Sequence, residues 1–272
     1  VSEKVRIMNI AIVYMVAGIS SRFGGRIKQF AQVGPNGETL IEYSMNQAIS
    51  AGFNKIIFIV GDKTEQPFKE KFQSRYQGVP VHYANQTLDP ITRNKPWGTC
   101  DALCATKHLI DCPFVICNGD DLYGESTLKR LVEHLQGSEE EATAGYTLLD
   151  VLPEQGTTNR AIFKVRDGYA QSLDEIFNIS IAALDQKNIK PDELCSMNLF
   201  ALHPSVVDFL DENLKRFKEE HANDRNIECL LPTEISKLIQ EEKIKMRIYP
   251  ATDQWLGVTN PEDEEAIRKK LA

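Results

Sequence analysis

The strand and helix patterns of the first half alternate, and this alternation constrains the fold more than any other feature. Residues 8–16 are a continuous β-branched and apolar run, which is typical of a strand buried on both faces. The same pattern recurs in residues 55–60, 79–83 and 113–117, and the intervening helices are predicted at residues 38–51, 65–75 and 99–110. Thr99 can cap the last of these helices. Such repetition predicts an α/β fold with a mostly parallel central sheet and helices on both faces.

The second half changes character, yet no Ser- or Gly-rich linker and no internal repeat separates it from the first. Its strands are predicted at residues 143–150, 161–165, 194–202 and 245–249, and its helices at residues 204–220, 231–242 and 261–271. Residues 1–7 lack the pattern of a signal peptide, and we interpret them as a short extension because Met8 would be a natural initiator. We therefore expect residues 8–272 to form a single domain.

Charge and cysteine usage exclude several classes of protein. The formal net charge is −8, which argues against a protein that holds a polynucleotide by its phosphates. The longest apolar run, residues 7–17, is far too short to span a bilayer. The six cysteines form no CxxC pair and have no metal-finger spacing, so we expect reduced, buried thiols in a cytoplasmic protein.

The loop after the first strand combines small residues with three cations. Small residues allow backbone N–H groups to approach an anion closely, and serine hydroxyls can donate further hydrogen bonds. Arg22 and Lys28 can then neutralise a phosphate chain, Arg22 with a bidentate fork and Lys28 as a point charge. The candidate nucleotide-binding residues of this loop are Ala17, Gly18, Ile19, Ser20 and Ser21. A flexible surface loop, in which the glycines merely turn the chain, is the alternative.

Two common phosphate-binding loops do not fit this segment. A P-loop needs GxxxxGK followed by Ser or Thr, and this string does not occur. The dinucleotide fingerprint GxGxxG is absent, because Ser20 stands where its second glycine would be. An oxidoreductase is therefore disfavoured.

A second polar loop, residues 118–121, follows the fourth predicted strand. Ligands of open α/β sheets bind outside the carboxyl ends of the strands, and both loops emerge at that edge. Asp120 is thus a candidate magnesium ligand, because Mg²⁺ prefers hard oxygen atoms. Alternatively, the Asp120–Asp121 pair caps the next helix.

These residues resemble the signature of the sugar-1-phosphate nucleotidyltransferases, the family of NDP-sugar pyrophosphorylase-like enzymes. That signature is GxGxR, a short spacer and a lysine, and here it reads Gly18-Ile19-Ser20-Ser21-Arg22 and then Lys28. Further similar strings are residues 29–30, 34–38, 95–99, 118–124, 196–199 and 255–259, so the resemblance runs nearly end to end. It implies a Rossmann-like nucleotidyltransferase fold, with a nucleotide-binding half at residues 8–125 and an acceptor-binding half at residues 126–272.

The resemblance also implies an activity. A phosphorylated acceptor, a sugar 1-phosphate in this family, attacks the α-phosphorus of a nucleoside triphosphate in a Mg²⁺-dependent reaction that releases pyrophosphate. Positioning and nearby cations dominate catalysis of such transfers, and no Ser-His-Asp arrangement is needed. The expected partners are an NTP and a small phosphorylated acceptor, the expected pathway is polysaccharide biosynthesis, and a homo-oligomer is left open.

The family's site residues can be transferred to matching positions. Gly98 and Thr99 stand where the family contacts base and ribose, and Lys95 could add charge near the phosphates. Asp120, rather than Asp121, matches the metal-binding aspartate. The candidate acceptor-binding residues are Glu175 and Asn198 by family position, with Arg160 and Lys164 as candidate phosphate partners.

The sequence departs from the family at one metal-binding position. Where a second aspartate begins a DVxTP-like string, this chain has Gly257. Either Asp253 supplies the missing carboxylate, or the metal keeps more water ligands. Trp97 either anchors its loop by packing or stacks on the base.

Three functions remain open. The first is transfer to a sugar 1-phosphate, and the second is a cytidylyltransferase acting on a non-sugar acceptor such as an aminoalkyl or polyol phosphate. The third is an inactive nucleotide-binding homologue, against which the retention of Arg22, Lys28 and Asp120 speaks.

Overall fold

The structure is a computed structural model that describes residues 8–18, 23–258 and 260–272. Its strands are β1 (Ala11–Met15), β2 (Lys55–Val60), β3 (Arg75–Tyr76), β4 (Val79–Asn85), β5 (Phe114–Asn118), β6 (Asp121–Leu122), β7 (Glu141–Thr147), β8 (Thr158–Arg166), β9 (Tyr169–Ile179), β10 (Leu194–Ser196), β11 (Phe200–Leu202), β12 (Met246–Pro250) and β13 (Leu256–Gly257). Its α-helices are α1 (Leu40–Ala51), α2 (Glu65–Phe72), α3 (Thr99–Cys104), α4 (Glu125–Gly137), α5 (Pro204–Glu220), α6 (Leu231–Gln240) and α7 (Asp263–Leu271). Short 3₁₀ turns lie at Lys28–Phe30, Leu148–Val151 and Ile181–Ala183.

One sheet of 11 strands runs through both halves, in the order β3-β4-β2-β1-β5-β11-β7-β12-β9-β8-β10. The block β4-β2-β1-β5 is parallel throughout, as predicted for the first half. The second half is mixed: β11 runs antiparallel to both β5 and β7, whereas β12 is parallel to β7. Strand β10 pairs with β7 as well as β8, which closes a ring of pairings in this half. Strands β6 and β13 form a separate small antiparallel sheet.

The central strand β1 is buried on both faces because successive side chains enter different cores. Ile12 and Tyr14 belong to the core beneath α1, α2 and α4, whereas Ala11 and Val13 belong to the core beneath α3, α5 and α6. This explains the unbroken apolar run in the sequence. Helices cover both faces of the sheet, so the predicted α/β class is confirmed.

Some predicted elements have different bounds. Helix α3 ends at Cys104 rather than near residue 110, and its N-cap is Gly98. Thr99 therefore does not cap this helix, because it is already its first residue; its hydroxyl instead accepts a hydrogen bond from the Leu231 N–H at 2.8 Å. The strand predicted over residues 194–202 is split into β10 and β11, with Asn198 in the left-handed region at φ 58°. Helix α4 and strand β9 were not predicted.

The cysteines agree with the prediction of reduced thiols. All six are free, and all are buried except Cys104, which is partly buried. In the described part of the chain, no helix is both long and apolar enough to cross a lipid bilayer.

Candidate active site

An open cavity of about 580 Å³, which we call the first cavity, lies at the carboxyl ends of three of the parallel strands, β1, β2 and β4. Ala17 and Gly18 line it after β1, as do Lys95, Gly98 and Thr99 beyond β4. The other predicted loop residues, Ile19, Ser20, Ser21 and Arg22, lie outside the described residues. The structure thus brings five of the predicted nucleotide-binding residues to one cavity.

The first cavity also contains residues that the sequence analysis missed. Gly61, Asp62 and Lys63 follow β2, Gln86 follows β4, and Glu228 comes from the loop before α6. The sequence could have indicated the first four, since they lie within three residues of the end of a predicted parallel strand and so emerge at the same sheet edge. Glu228 is far from these strands in the sequence, and no motif around it indicated a place in this cavity.

Gly98 is held against the loop that precedes α6. Trp97 O accepts a hydrogen bond from Cys229 N at 2.7 Å, and Cys100 N donates to Cys229 O at 3.1 Å. A Cβ atom on residue 98 would lie 2.6 Å from Cys229 O, and the φ of Gly98 is +102°. Only glycine fits both the close approach and the backbone conformation.

Lys95 and Trp97 have different surroundings in this loop. The Lys95 ammonium forms an ion pair with Glu228 at the mouth of the first cavity. The Trp97 ring lies between Arg93, 3.7 Å from its centroid, and the Phe217 ring, 6.2 Å away. Trp97 does not line the first cavity, which agrees with the interpretation of a packing anchor.

Lys28 and Asp120 form an ion pair at the end of the central strands. Lys28 begins the 3₁₀ turn Lys28–Phe30, and Asp120 follows β5; their side chains are 20% and 23% exposed. The pair joins two loops that are 92 residues apart in the sequence, as the convergence of strand ends predicted. A cation and an anion therefore lie together at the carboxyl edge of the parallel strands.

Asp121, next to this pair, is buried. Asn118 Nδ2 donates a hydrogen bond to Asp121 Oδ2 at 2.8 Å, and the Tyr123 hydroxyl lies 3.2 Å from the same oxygen. Burial raises the pKa of the Asp121 carboxyl to about 7, and the negative charge of Asp120 adds to the increase. The Tyr123 hydroxyl also lies 2.7 Å from Met197 O, so the Asp121 carboxyl belongs to a buried network of hydrogen bonds.

Gly257 lies opposite Asp121 in the pairing of β13 with β6. A Cβ atom on residue 257 would be 2.6 Å from Asp121 Oδ1 and 2.3 Å from the Trp255 ring. Asp121 and Trp255 therefore occupy the space that a side chain at position 257 would need, which is where the similar family has its second aspartate. Restoring an aspartate at position 257 would require Asp121 or Trp255 to move.

Asp253 lies beside the first turn of α4. Its Oδ2 accepts a hydrogen bond from the Thr127 N–H at 2.7 Å, in the first turn of α4, where backbone N–H groups lack helical partners. Within residues 8–18, 23–258 and 260–272, no group of three or more His, Cys, Asp or Glu side chains is arranged to hold a metal ion. Asp253 is thus not brought into a metal-binding group with Asp120 and Asp121.

A second cavity of about 540 Å³ lies in the other half of the chain. Residues that line it include Thr158, Arg160, Trp255 and Gly257. Arg160 donates to Val151 O at 2.9 Å, and its guanidinium lies 5.7 Å from the centroid of the Trp255 ring. A cation and an aromatic face thus line the second cavity. Gly257 lines the same cavity and pairs with Asp121 in the small sheet.

None of the other three predicted acceptor residues, Glu175, Asn198 and Lys164, lines the second cavity. Glu175, on β9, pairs with Ala161; burial raises the pKa of its carboxyl, and the charge of Arg160 opposes that increase. Asn198 Nδ2 donates to Asn118 Oδ1 at 3.3 Å, which links it to the end of β5. Lys164 does not line the second cavity, and its ammonium is 3.9 Å from the Glu193 carboxylate.

The profile of the family described as Nucleotidyl transferase matches residues 25–263. Since the match spans most of the sequence, the chain belongs to the nucleotidyl transferase family and is a nucleotidyltransferase enzyme. The resemblance found in the sequence is confirmed. No curated protein is significantly similar to the sequence.

Solved structures share the fold at low sequence identity. A UTP-bound UGPase from Acinetobacter baumannii is 16% identical with a TM-score of 0.64, covering 97% of this chain and 93% of that one. A UDP-glucose pyrophosphorylase complexed with UDP-glucose is 15% identical with a TM-score of 0.68, covering 97% and 98%. An inositol-1-phosphate CTP transferase from T. maritima is 14% identical with a TM-score of 0.65, covering 97% and 96%. These matches confirm the Rossmann-like nucleotidyltransferase fold.

Proposed function

We propose that the chain transfers a nucleotidyl group from a nucleoside triphosphate to a sugar 1-phosphate. An oxygen of the acceptor phosphate forms a bond to the α-phosphorus, and the bond from that phosphorus to the oxygen bridging it to the β-phosphorus breaks. The leaving group is pyrophosphate, and the product is an NDP-sugar. The acceptor phosphate is itself the nucleophile, so the protein has to supply position and charge rather than an activated side chain.

The observation that carries this proposal is the location of the Lys28–Asp120 pair. Asp120 follows β5, which pairs with β1, and the end of β1 lines the first cavity. Asp120 O also accepts a hydrogen bond from Val258 N at 3.1 Å, and the neighbouring Gly257 lines the second cavity. Neither Lys28 nor Asp120 lines either cavity, but strand pairing and this hydrogen bond link Asp120 to the lining of both. That position suits a reaction between a nucleotide in one cavity and a phosphorylated acceptor in the other.

Three cations, Lys28, Arg22 and Lys95, have distinct tasks in this proposal. Lys28 stabilises negative charge that develops on the transferred phosphate, and Arg22 does the same from the preceding loop. Lys95, at the cavity mouth, attracts the outer phosphates. Residues 8–125 bind the nucleotide, and residues 126–272 bind the acceptor.

Asp120 is the residue that fits a magnesium ion. Its carboxylate is partly exposed and already neighbours a cation, the Lys28 ammonium. Mg²⁺ is commonly held by one or two carboxylates, with phosphate oxygens and water as the other ligands, so a single aspartate suffices. When bound, the ion would neutralise charge on the triphosphate.

Arg160 and Trp255 support an acceptor with an anionic end and an apolar or hydroxylated face. The guanidinium can bind a phosphate oxygen, and an aromatic ring packs against a sugar or polyol carbon skeleton. One structural relative carries inositol 1-phosphate in its name, which is a polyol phosphate. Polyol and aminoalkyl phosphates therefore belong in the test alongside sugar 1-phosphates.

The experiment is pyrophosphate release from each of the common NTPs, with a panel of these acceptors and Mg²⁺. We expect release only when NTP, acceptor and Mg²⁺ are all present. The proposal fails if no combination turns over and calorimetry detects no nucleotide binding. Binding without turnover across the panel would instead favour an inactive nucleotide-binding homologue.

A further inference from the structure

The Gln86 side chain in the first cavity has a fixed orientation. It is 8% exposed, and its Nε2 donates hydrogen bonds to Gly98 O at 3.0 Å and to Asp101 Oδ2 at 2.9 Å. A carbonyl and an ionised carboxylate can only accept, so the amide nitrogen must face them. Reversing the amide would place its oxygen against two other oxygens.

The two acceptors are themselves held by the fold. Gly98 is fixed between the two backbone hydrogen bonds to Cys229 described above. Asp101, in the first turn of α3, accepts a hydrogen bond from Lys218 Nζ on α5 at 2.5 Å through its Oδ1. Because a lysine ammonium can only donate, the carboxylate gives one oxygen to Lys218 and the other to Gln86.

We infer that Asp101 is a positioning residue for nucleotide binding, because it holds the Gln86 amide with Oε1 available to a nucleobase N–H. Within the described part of the chain, no donor bonds to Oε1, and Gln86 lines the first cavity. The inference rests on the proposed function, since it takes the first cavity as the nucleotide site. Asp101 does not line that cavity, so it acts through Gln86.

Asp101→Asn tests the inference with little change in side-chain shape. The Lys218 ammonium donates to the amide oxygen of the new asparagine, so the NH₂ group of the asparagine faces Gln86. Two NH₂ groups then oppose each other, which disfavours the native orientation of the Gln86 amide. Calorimetry would compare the tightest-binding NTP with tripolyphosphate, which carries the charge but no base. We expect the NTP to bind roughly five-fold more weakly, as for one lost hydrogen bond, and tripolyphosphate to bind as before.

A second substitution separates positioning from general damage. Lys218→Met alone leaves Asp101 free to accept from Gln86, so NTP affinity should stay near that of the wild type. In the double variant Asp101→Asn with Lys218→Met, the asparagine can turn its oxygen to Gln86. NTP affinity should therefore recover relative to Asp101→Asn, which a merely structural role of the ion pair would not produce.

Asp211→Asn is the matched control, because this α5 aspartate forms ion pairs with two surface lysines, Lys107 and Lys215. It should leave both affinities unchanged. The inference is overturned if Asp101→Asn binds NTP like the wild type, if tripolyphosphate weakens equally, or if removing Lys218 restores nothing.

Gln86→Met provides the same test should Asp101→Asn fail to fold. It removes the amide without disturbing the ion pair, and we expect a similar selective loss of NTP affinity. Wild-type affinity in Gln86→Met would overturn the inference. If the wild-type protein binds every NTP no more tightly than tripolyphosphate, the base contributes nothing to affinity, and the inference fails while the phosphate site stands. If the wild-type protein binds neither NTP nor tripolyphosphate, the proposed function fails as well.

Discussion

Gly257 and Asp121 face each other across two paired strands, and the Asp121 carboxylate occupies the space that a side chain at position 257 would need. The absence of an aspartate at 257 is thus coupled to the presence of one at 121. We expect Gly257→Ala to lower the free energy of unfolding by about 1–3 kcal/mol, because even a methyl group overpacks the site. Urea denaturation measures this directly.

Gly137→Ala is the control for that substitution. Gly137 ends α4, and a Cβ atom there meets nothing within 4 Å. It should be neutral or slightly stabilising, since alanine is the better helix former. Equal stability of the two variants would contradict the packing described for Gly257.

The Asp121 carboxyl should make stability depend on pH. Its folded pKa is raised to about 7 by burial and by Asp120. The stabilising contribution is complete below the unfolded-state pKa of about 4 and is lost as pH rises through about 7, with a slope of up to about 1.4 kcal/mol per pH unit.

Asp121→Asn, a neutral side chain of the same shape, should lack this contribution to the pH dependence. Unfolding free energies at several values between pH 5 and pH 8 would be compared with those of the wild type. Parallel profiles for the two proteins would show that Asp121 does not titrate in this range.

Asp253→Ala should weaken the fold but not metal binding. The variant loses the carboxylate that accepts the Thr127 N–H at the start of α4, and removal of such a helix-end acceptor typically lowers stability by about 1 kcal/mol. Mn²⁺ affinity, followed by electron paramagnetic resonance with nucleotide present, should not change. Asp120→Ala serves as the comparison, because it should reduce that affinity. A loss of Mn²⁺ affinity in Asp253→Ala would restore Asp253 as a metal ligand.

The first half of the fold was predictable because its strands are buried on both faces and its helices separate them. The edge at which Lys28 and Asp120 meet follows from this parallel order alone. Strand β9 was missed, because one of its faces is largely exposed and residues such as Asp174 and Glu175 interrupt the apolar pattern. The break between β10 and β11 depends on the left-handed conformation of Asn198, which the strand-like residues around it do not reveal.

The site was predictable only where its parts follow a strand. Gln86 emerges directly after β4, whereas its partner Asp101 depends on Lys218, which is 117 residues away from it in the sequence. The relation between Gly257 and Asp121 likewise depends on strand register, and no pattern in the sequence specifies which residues of β6 and β13 will pair.

The central claim is that Lys28 and Asp120 serve nucleotidyl transfer, and the most direct test is the rate of pyrophosphate release with the productive NTP, acceptor and Mg²⁺. We predict that Lys28→Met and Asp120→Asn each lower this rate by at least about 100-fold with little change in melting temperature. Lys215→Met, at an exposed lysine of α5, should retain the wild-type rate. Wild-type rates in folded Lys28→Met and Asp120→Asn would contradict the account.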